Sequence, residues 1–180
     1  MEKTQGLLLH SIPYLGSKNI LKVFTPHFGL LTLIGKENHS PFCIAEWIFK
    51  KSQKEIYSIQ ESALLDPLLS LRQTFETISI AGKLAQDLLR TQLPNKHGPY
   101  DLACAYLRKL HLRPQMLLAS FRLKLLTFEG LMPPHKTPFF EDEEWEVVTR
   151  LQQMKQFSEI HSIVGEIHQK VETLFLQLCQ

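Results

Sequence analysis

The sequence is poor in cysteine, and the three that it has do not suggest a disulfide framework. Cys43, Cys104 and Cys179 are odd in number and far apart among 180 residues, whereas disulfide-stabilised domains carry paired cysteines at high density. The sequence also lacks the run of about 18 apolar residues that a membrane-spanning helix requires. Its first residues show neither a long apolar segment nor a small-residue cleavage site, so we expect no signal peptide. These absences predict a cytoplasmic protein that is not associated with a membrane.

The short motifs that mark common catalytic sites are also missing. HExxH, GxxxxGK[ST], GxGxxG and GxSxG do not occur. His161, His168 and Glu172 are spaced as neighbours on one helix, but three such groups do not close a metal site and no cysteine stands near them. The acidic run 141–144 points its carboxylates in different directions and suits a helix start. We predict a protein without enzymatic activity, metal or cofactor. The alternative is an enzyme that uses the face of the helix carrying His161 and His168.

Charge is low overall but unevenly distributed. The net charge is +2, yet residues 1–136 carry 17 Lys/Arg against 10 Asp/Glu, and residues 137–180 carry 3 against 8. A basic body with an acidic final segment is consistent with a polyanionic partner. An ordinary solvated surface explains the charge equally well, so both interpretations stay open.

Five short segments before residue 60 have the composition and alternation of β-strands. They centre on residues 7–14, 20–24, 30–34, 42–49 and 56–59, with turn residues between them. Five strands in about 60 residues are too few for two good sheets, so a small closed barrel is the economical arrangement. Gly29 and Gly35 then mark places where a barrel strand bends or bulges.

After residue 65 the apolar spacing becomes helical. Asp66 and Pro67 suit the N-cap and first position of a helix that reaches about Gln92. Further helices are predicted at about 100–111, from Pro114 to Gly130, from the acidic run at 141–144, and from a Ser158 cap. The last helix carries a heptad-spaced repeat, EIHSIVG and EIHQKVE, and one continuous apolar seam, namely Ile160, Val164, Ile167, Val171, Leu174 and Leu178. The predicted class is α+β, with a barrel at 1–64 and a helical domain at 65–180.

A small barrel that carries basic and aromatic residues is suited to single-stranded nucleic acid, because bases stack on rings while Lys and Arg contact phosphates. The candidate DNA-binding residues are Lys18, Lys22, Lys36, Lys50, Lys51 and Lys54 in the barrel, and Arg108 and Lys109 in the helical part. The candidate stacking rings are Tyr14, Phe28, Trp47 and Tyr57. Some of these rings must belong to the barrel core, and the sequence does not say which.

Several segments, taken in order, carry a resemblance to a known family. They are LLLHSIPYLGSKNILKVFTPHFGLLTLIGK, the Pro41-Phe42 pair before an apolar strand, the stretch from Ile59 through Glu61 to Pro67, and SFRLKLLTFEGLMP. In these features the chain resembles the RecO family of bacterial recombination mediators.

The resemblance implies an N-terminal OB-fold barrel followed by an α-helical C-terminal domain. It also implies binding to single- and double-stranded DNA, annealing of complementary strands, and help in loading RecA on strands coated by the single-strand-binding protein SSB. The implied partners are RecR, in many bacteria RecF, and the acidic C-terminal tail of SSB, in a nucleoid-associated cytoplasmic setting. On the matching helix, Phe121, Arg122 and Lys124 are the candidate residues for the SSB tail.

The chain departs from the family pattern in three ways. The loop KENHSP retains only Lys36 and His39 where relatives carry several basic residues, the connector 131–140 lacks the cysteines that bind zinc in some members, and the chain is shorter than typical members. We therefore expect no zinc. The depleted loop also leaves open a second function, a protein-interaction adaptor of the same fold that binds SSB or RecR and has little affinity for DNA.

Overall fold

A computed structural model describes residues 1–36, 38–52, 55–90 and 97–179, with His97 described by its backbone alone. The chain begins with five strands: β1 (Glu2–Pro13), β2 (Asn19–Thr25), β3 (Gly29–Gly35), β4 (Cys43–Lys50) and β5 (Ile56–Asp66). They close into a barrel in the order β1-β2-β3-β5-β4, and β4 pairs with β1. Among the strand pairs of the described residues, β3 with β5 is parallel and the other four are antiparallel. This is an OB-fold, so the predicted barrel is confirmed.

Alternate residues of the strands fill the barrel. Leu21 and Val23 on β2 are fully buried, as are Trp47 and Phe49 on β4, while the residues between them face outwards. The Trp47 indole nitrogen donates a hydrogen bond to the backbone oxygen of Gly6 at 3.2 Å. Trp47 is therefore a core residue and is not available as a stacking platform.

The fifth strand is longer than predicted, and the first helix starts later. β5 continues to Asp66, so Asp66 and Pro67 do not open a helix; the Asp66 carboxylate instead accepts a hydrogen bond from the Leu68 N–H at 2.9 Å. A 3₁₀ turn follows (Leu69–Arg72), and α1 (Phe75–Arg90) begins after Thr74. The Thr74 hydroxyl accepts a hydrogen bond from the Thr77 N–H at 3.1 Å, which is the usual geometry of an N-cap.

Three further helices lie where the sequence places them. They are α2 (His97–Lys109), α3 (Pro114–Glu129) and α4 (Asp142–Gln153). Gly130 ends α3 in the left-handed region with φ of 72°. Glu141 caps α4 through reciprocal hydrogen bonds with Glu144, so the acidic run is a helix start.

The predicted fifth helix is wrong in its first half. Ser158 lies in a short 3₁₀ segment (Phe157–Ser162), and α5 (His168–Leu178) begins only six residues later. Between them Gly165 has φ of 119°, which α-helical backbone does not accommodate, and Val164 is 81% exposed. The apolar seam is therefore discontinuous, although Ile160, Ile167 and Val171 are all buried.

Backbone contacts divide the chain into two compact units. The first comprises the described residues of Met1–Leu69 and Gln92–Cys104, and the second those of Ser70–Thr91 and Ala105–Gln180. The domain boundary predicted after residue 64 stays a prediction. Across the described ranges, no helix is both long enough and apolar enough to span a lipid bilayer.

Candidate nucleic-acid interface

The outer face of β1, β2 and β3 carries a polar row with one lysine at its centre. His10 pairs with Lys22, and Lys22 pairs with Thr32. Directly paired residues share a face of the sheet, and the neighbours of Lys22 in the chain are core residues. Lys22 therefore projects outwards, where its ammonium group donates a hydrogen bond to the Thr32 hydroxyl at 2.8 Å.

A groove lies beside this row, next to the pairing of β3 with β5. In the described residues this pairing runs from Thr32 to Ile34, and Leu30 and Leu31 come just before it on β3. The groove has a volume of about 390 Å³ and is lined by Lys22, Phe28, Leu30, Leu31, Thr32, Glu55 and Tyr57. It offers apolar walls, two aromatic rings, one cation and one carboxylate.

The two rings of the groove are held in place by a core residue. Phe28 contacts Phe49 edge-on, and Tyr57 stacks on Phe49, each with centroids 5.7 Å apart. Phe49 is fully buried, whereas Phe28 and Tyr57 are half-buried. The fixed rings form a surface that a base can stack on without prior ordering of the side chains.

A second cation approaches the groove from the end of β4. The Lys51 ammonium group lies 4.9 Å from the centroid of the Phe28 ring and 3.3 Å from a carboxylate oxygen of Glu2. The two side chains of the ion pair are 49% and 40% exposed, so solvent screens this contact and it is weak. A phosphate group can replace Glu2 at small cost.

The other predicted cations of the barrel that the structure describes lie at or next to the ends of strands. Lys18 lies in the β1–β2 turn and Lys36 follows β3. Since Asn19 pairs with Gly35, these two exposed lysines flank the same end of the sheet. Lys50 is exposed at the end of β4. Lys54 lies outside the described residues.

Arg108 and Lys109 are exposed at the end of α2 and belong to the second unit. The structure tests none of the predicted DNA contacts, so each stays a prediction.

The three residues predicted to bind a partner face the interior of the second unit. Phe121 is fully buried, and the Arg122 Nε donates a hydrogen bond to the Asp87 carboxylate at 2.7 Å, with both side chains 4% exposed. The Lys124 ammonium group donates to the backbone oxygen of Met154, and burial lowers the pKa of Lys124. A signal was available in the sequence, because α3 is apolar around most of its circumference, as a buried helix is. Their role in binding stays a prediction.

The histidines that the sequence places on one helix do not form a metal site or a catalytic site in the structure. His161 lies in the 3₁₀ segment and His168 at the start of α5, so they are not successive turns of one helix. In the parts of the chain that the structure describes, no three His, Cys, Asp or Glu residues are grouped so that they could hold a metal ion.

Sequence reasoning missed Glu2, Glu55 and Thr32 as neighbours of the groove. The positions of Glu2 and Thr32 follow from the pairing of strands, which brings residue 2 beside residue 51 and residue 32 beside residue 22. Only the alternation of polar and apolar residues on β2 and β3 hinted that Thr32 faces outwards with Lys22.

Comparison with known proteins gives relatives of low identity that share one name. No protein-family model matches the chain. The DNA repair protein RecO of Chlamydia pneumoniae is 24% identical over 141 residues, which cover 71% of this chain and 56% of that protein. The RecO of Prosthecochloris aestuarii is 26% identical over 149 residues, with 73% and 56% covered. The RecO of Chlamydia muridarum is 22% identical over 217 residues, with 94% and 92% covered. The chain thus spans about half the length of the first two relatives.

Proposed function

We propose that this chain is a RecO-like DNA repair and recombination mediator that performs no chemistry of its own. It binds single-stranded DNA on the outer face of its barrel, anneals complementary strands and helps to load RecA on SSB-coated DNA. The observation that carries the proposal is the fixed pair of rings, Phe28 and Tyr57, in a groove that also holds Lys22. The similarity to proteins named DNA repair protein RecO supports it.

The mechanism is electrostatic and geometric. Ammonium groups of Lys22 and Lys51 neutralise phosphates and release the counterions condensed on the strand. The bases of the bound strand move out of water and stack against the aromatic rings of the groove. Two strands held loosely in this way can exchange pairing register until complementary sequences meet. Duplex DNA is bound through the same phosphate contacts but cannot offer its base faces.

The partner proteins belong to the same proposal. The SSB tail, RecR, and in some bacteria RecF are the proposed partners, and the protein acts in the bacterial cytoplasm at the nucleoid. A site for the SSB tail at Phe121, Arg122 and Lys124 requires the helices around α3 to move, since the first two side chains are buried. The basic character of residues 1–136 is complementary to an acidic tail.

The first experiment measures annealing of complementary oligonucleotides coated with the cognate SSB, with and without this protein. We expect acceleration that fades as salt increases. A folded protein that gives no acceleration at any salt concentration contradicts the mediator function and removes the basis for the DNA-contact residues.

A second experiment changes the cations at the end of β4. Lys50→Ala/Lys51→Ala should weaken binding to all single-stranded sequences alike and flatten the dependence of affinity on salt. Lys155→Ala, an exposed lysine of the second unit, is the matched control. If the double variant keeps the affinity and the salt slope of the original protein, these two lysines do not contact DNA.

One observation favours the adaptor as a second candidate. Within the described barrel, Lys51 pairs with Glu2 and Lys3 pairs with Glu46 at 2.9 Å, so part of the positive charge is already neutralised inside the chain. An adaptor binds an SSB tail peptide while showing no salt-dependent binding to DNA. Titrating both ligands against the same preparation separates the two functions.

A further inference from the structure

Three isoleucines lie side by side on the outer surface of the barrel. Ile12 on β1 pairs with Ile20 on β2, and Ile20 pairs with Ile34 on β3. We call these three residues the isoleucine row. The side chains face outwards, because Leu21 and Leu33 beside them in the chain are fully buried in the core. Ile12 is 43% exposed, and the other two are half-buried.

The β1–β2 turn extends this apolar surface beyond the strands. Tyr14 is 47% exposed and Leu15 is 76% exposed. The Tyr14 N–H donates a hydrogen bond to the Lys18 backbone oxygen at 2.8 Å, and Gly16 takes φ of 68°, so the turn has a defined shape. A ring and a branched side chain are thus presented next to Ile12 on an ordered support.

Cations stand on both sides of the isoleucine row. Lys22 occupies the next outward position on β2, about 7 Å along the strand from Ile20. On the other side, Lys18 and Lys36 flank the end of the sheet at the Asn19–Gly35 pair. An apolar strip bordered by ammonium groups matches a ligand with apolar faces and anionic links, which is the chemistry of an unpaired nucleic-acid strand.

We infer that the isoleucine row and Tyr14 contact the bases of a single DNA strand whose phosphates lie on Lys18, Lys22 and Lys36. This inference rests on the proposed function and adds the source of its preference for unpaired DNA. The bases of an unpaired strand expose faces on which Tyr14 can stack and against which the isoleucine side chains can pack away from water, whereas the bases of an intact duplex are stacked on one another. The isoleucine row therefore favours single strands, whereas the lysines alone do not distinguish single-stranded from double-stranded DNA.

The test compares two probes of equal length, a fluorescein-labelled oligodeoxythymidylate and a fluorescein-labelled abasic strand that keeps every phosphate. The variant is Ile12→Thr/Ile20→Thr/Ile34→Thr, which retains β-branched residues on the strands. Leu64→Thr, at a half-exposed aliphatic residue of β5, is the matched control. Thermal unfolding establishes that each variant is folded, and Ile12→Thr alone replaces the triple variant if that protein does not fold.

The original protein should bind oligodeoxythymidylate more tightly than the abasic strand. The triple variant should lose about tenfold in affinity for oligodeoxythymidylate, keep its affinity for the abasic strand, and keep its salt slope. Equal losses for both probes, no loss for either, or a change in self-association alone would overturn the inference. Salt-dependent binding of the abasic strand by the original protein reports on the proposed function separately. If neither probe binds, both proposals fall.

Discussion

Replacing Arg122 by Met should destabilise the second unit severely. The Arg122 guanidinium group joins α3 to α1 through its 2.7 Å hydrogen bond to Asp87, and both side chains are 4% exposed. Methionine fills similar space without charge, so the change leaves the Asp87 carboxylate buried without its cation. Breaking a buried pair in this way costs about 3–5 kcal/mol. The loss of the contact between Arg122 and the Phe175 ring, 5.6 Å from its centroid, acts in the same direction.

The two halves of this pair should not be equally sensitive. Arg122 also donates to Glu172 at 3.3 Å, so Asp87→Asn leaves the guanidinium group with one carboxylate partner. Arg122 and Lys83 lower the pKa of Glu172 even though burial acts to raise it, so this carboxylate stays ionised. Asp87→Asn should therefore cost less than Arg122→Met. The double variant should cost less than the sum of the two, because neither member is then left as an unpaired charge.

The pH dependence supplies an independent check. Burial raises the pKa of Asp87, although the hydrogen bond and charge of Arg122 lower it. Removing Arg122 raises it further. A carboxyl group whose pKa is higher in the folded state than in the unfolded state contributes its full stability below the ordinary pKa of 3.8. That stability is lost as the pH rises through the pKa of the folded state. The decrease in the free energy of unfolding caused by Arg122→Met should thus be largest near pH 7 and smaller near pH 4.5.

Urea unfolding followed by circular dichroism measures these differences. The Lys83→Met variant is the control, because it removes a half-exposed partner of Glu172 and should cost no more than about 1 kcal/mol. The reasoning would be refuted if the Arg122→Met variant had the same free energy of unfolding as the original protein. It would also be refuted if the loss of stability in the double variant equalled the sum of the two single losses. The outcome also bears on any binding assay at Arg122, since a loss of SSB-tail binding in an unfolded variant says nothing about contact.

Three smaller predictions concern other contacts. Tyr106→Phe should remove a loss of stability that the original protein shows at alkaline pH. Burial raises the pKa of Tyr106 from 10.0 to about 12, so the free energy of unfolding of the original protein should fall by about 1.4 kcal/mol per pH unit between these values. Urea titrations should show this fall for the original protein and not for the variant. Glu2→Gln should tighten single-strand binding two- to threefold by anisotropy (about 0.5 kcal/mol), since it releases Lys51 from an exposed pair; unchanged affinity contradicts a role for Lys51 at the groove. Thr74→Ala should lower the free energy of unfolding by about 1 kcal/mol through loss of the α1 cap, and a stability within 0.3 kcal/mol or so of the original contradicts that cap.

The direction of the Tyr106 hydrogen bond follows from its neighbours. The Ser120 hydroxyl donates its only hydrogen to the Leu151 backbone oxygen at 2.7 Å. The 2.7 Å contact between Tyr106 and Ser120 must then have the tyrosine as donor. Ionised tyrosine has no hydrogen to donate, so deprotonation breaks the chain of hydrogen bonds as well as burying a charge.

The barrel was predictable from the number and spacing of its strands, and the polar Lys22 and Thr32 between apolar neighbours indicate which faces of β2 and β3 are inside. Leu21, Val23, Leu31 and Leu33 form the core in the pattern that the sequence indicates. Strand register was not predictable, since residues 12, 20 and 34 become neighbours only through two hairpins whose turns the sequence leaves open. The isoleucine row was invisible for that reason.

The errors in the helical part have local causes. The Asp66-Pro67 pair suits the start of a helix, but an aspartate carboxylate accepts backbone hydrogen bonds in a turn equally well. Here β5 extends to Asp66, so the carboxylate stabilises the turn that follows the strand. The heptad repeat near the C-terminus suggested one helix, yet a single Gly165 at positive φ interrupts it. Arg122 and Lys124 looked like surface cations because charge alone predicts exposure. Their carboxylate and carbonyl partners lie 30 or more positions away in sequence.

The pairing of the barrel lysines constrains the salt dependence of DNA binding. Each neutralised phosphate of a single strand contributes about −0.7 to the slope of log K against log salt. Lys18, Lys22 and Lys36 border the isoleucine row, and Lys50 and Lys51 lie at the end of β4, so five contacts predict a slope of about −3.5. Glu2 offsets most of the contribution of Lys51, because the departure of Lys51 leaves a carboxylate that attracts a cation of its own, so the slope of the original protein should be about −3. Glu2→Gln removes this compensation and should steepen the slope to about −3.5, while a slope steeper than about −4 in the original protein would require cations outside this set.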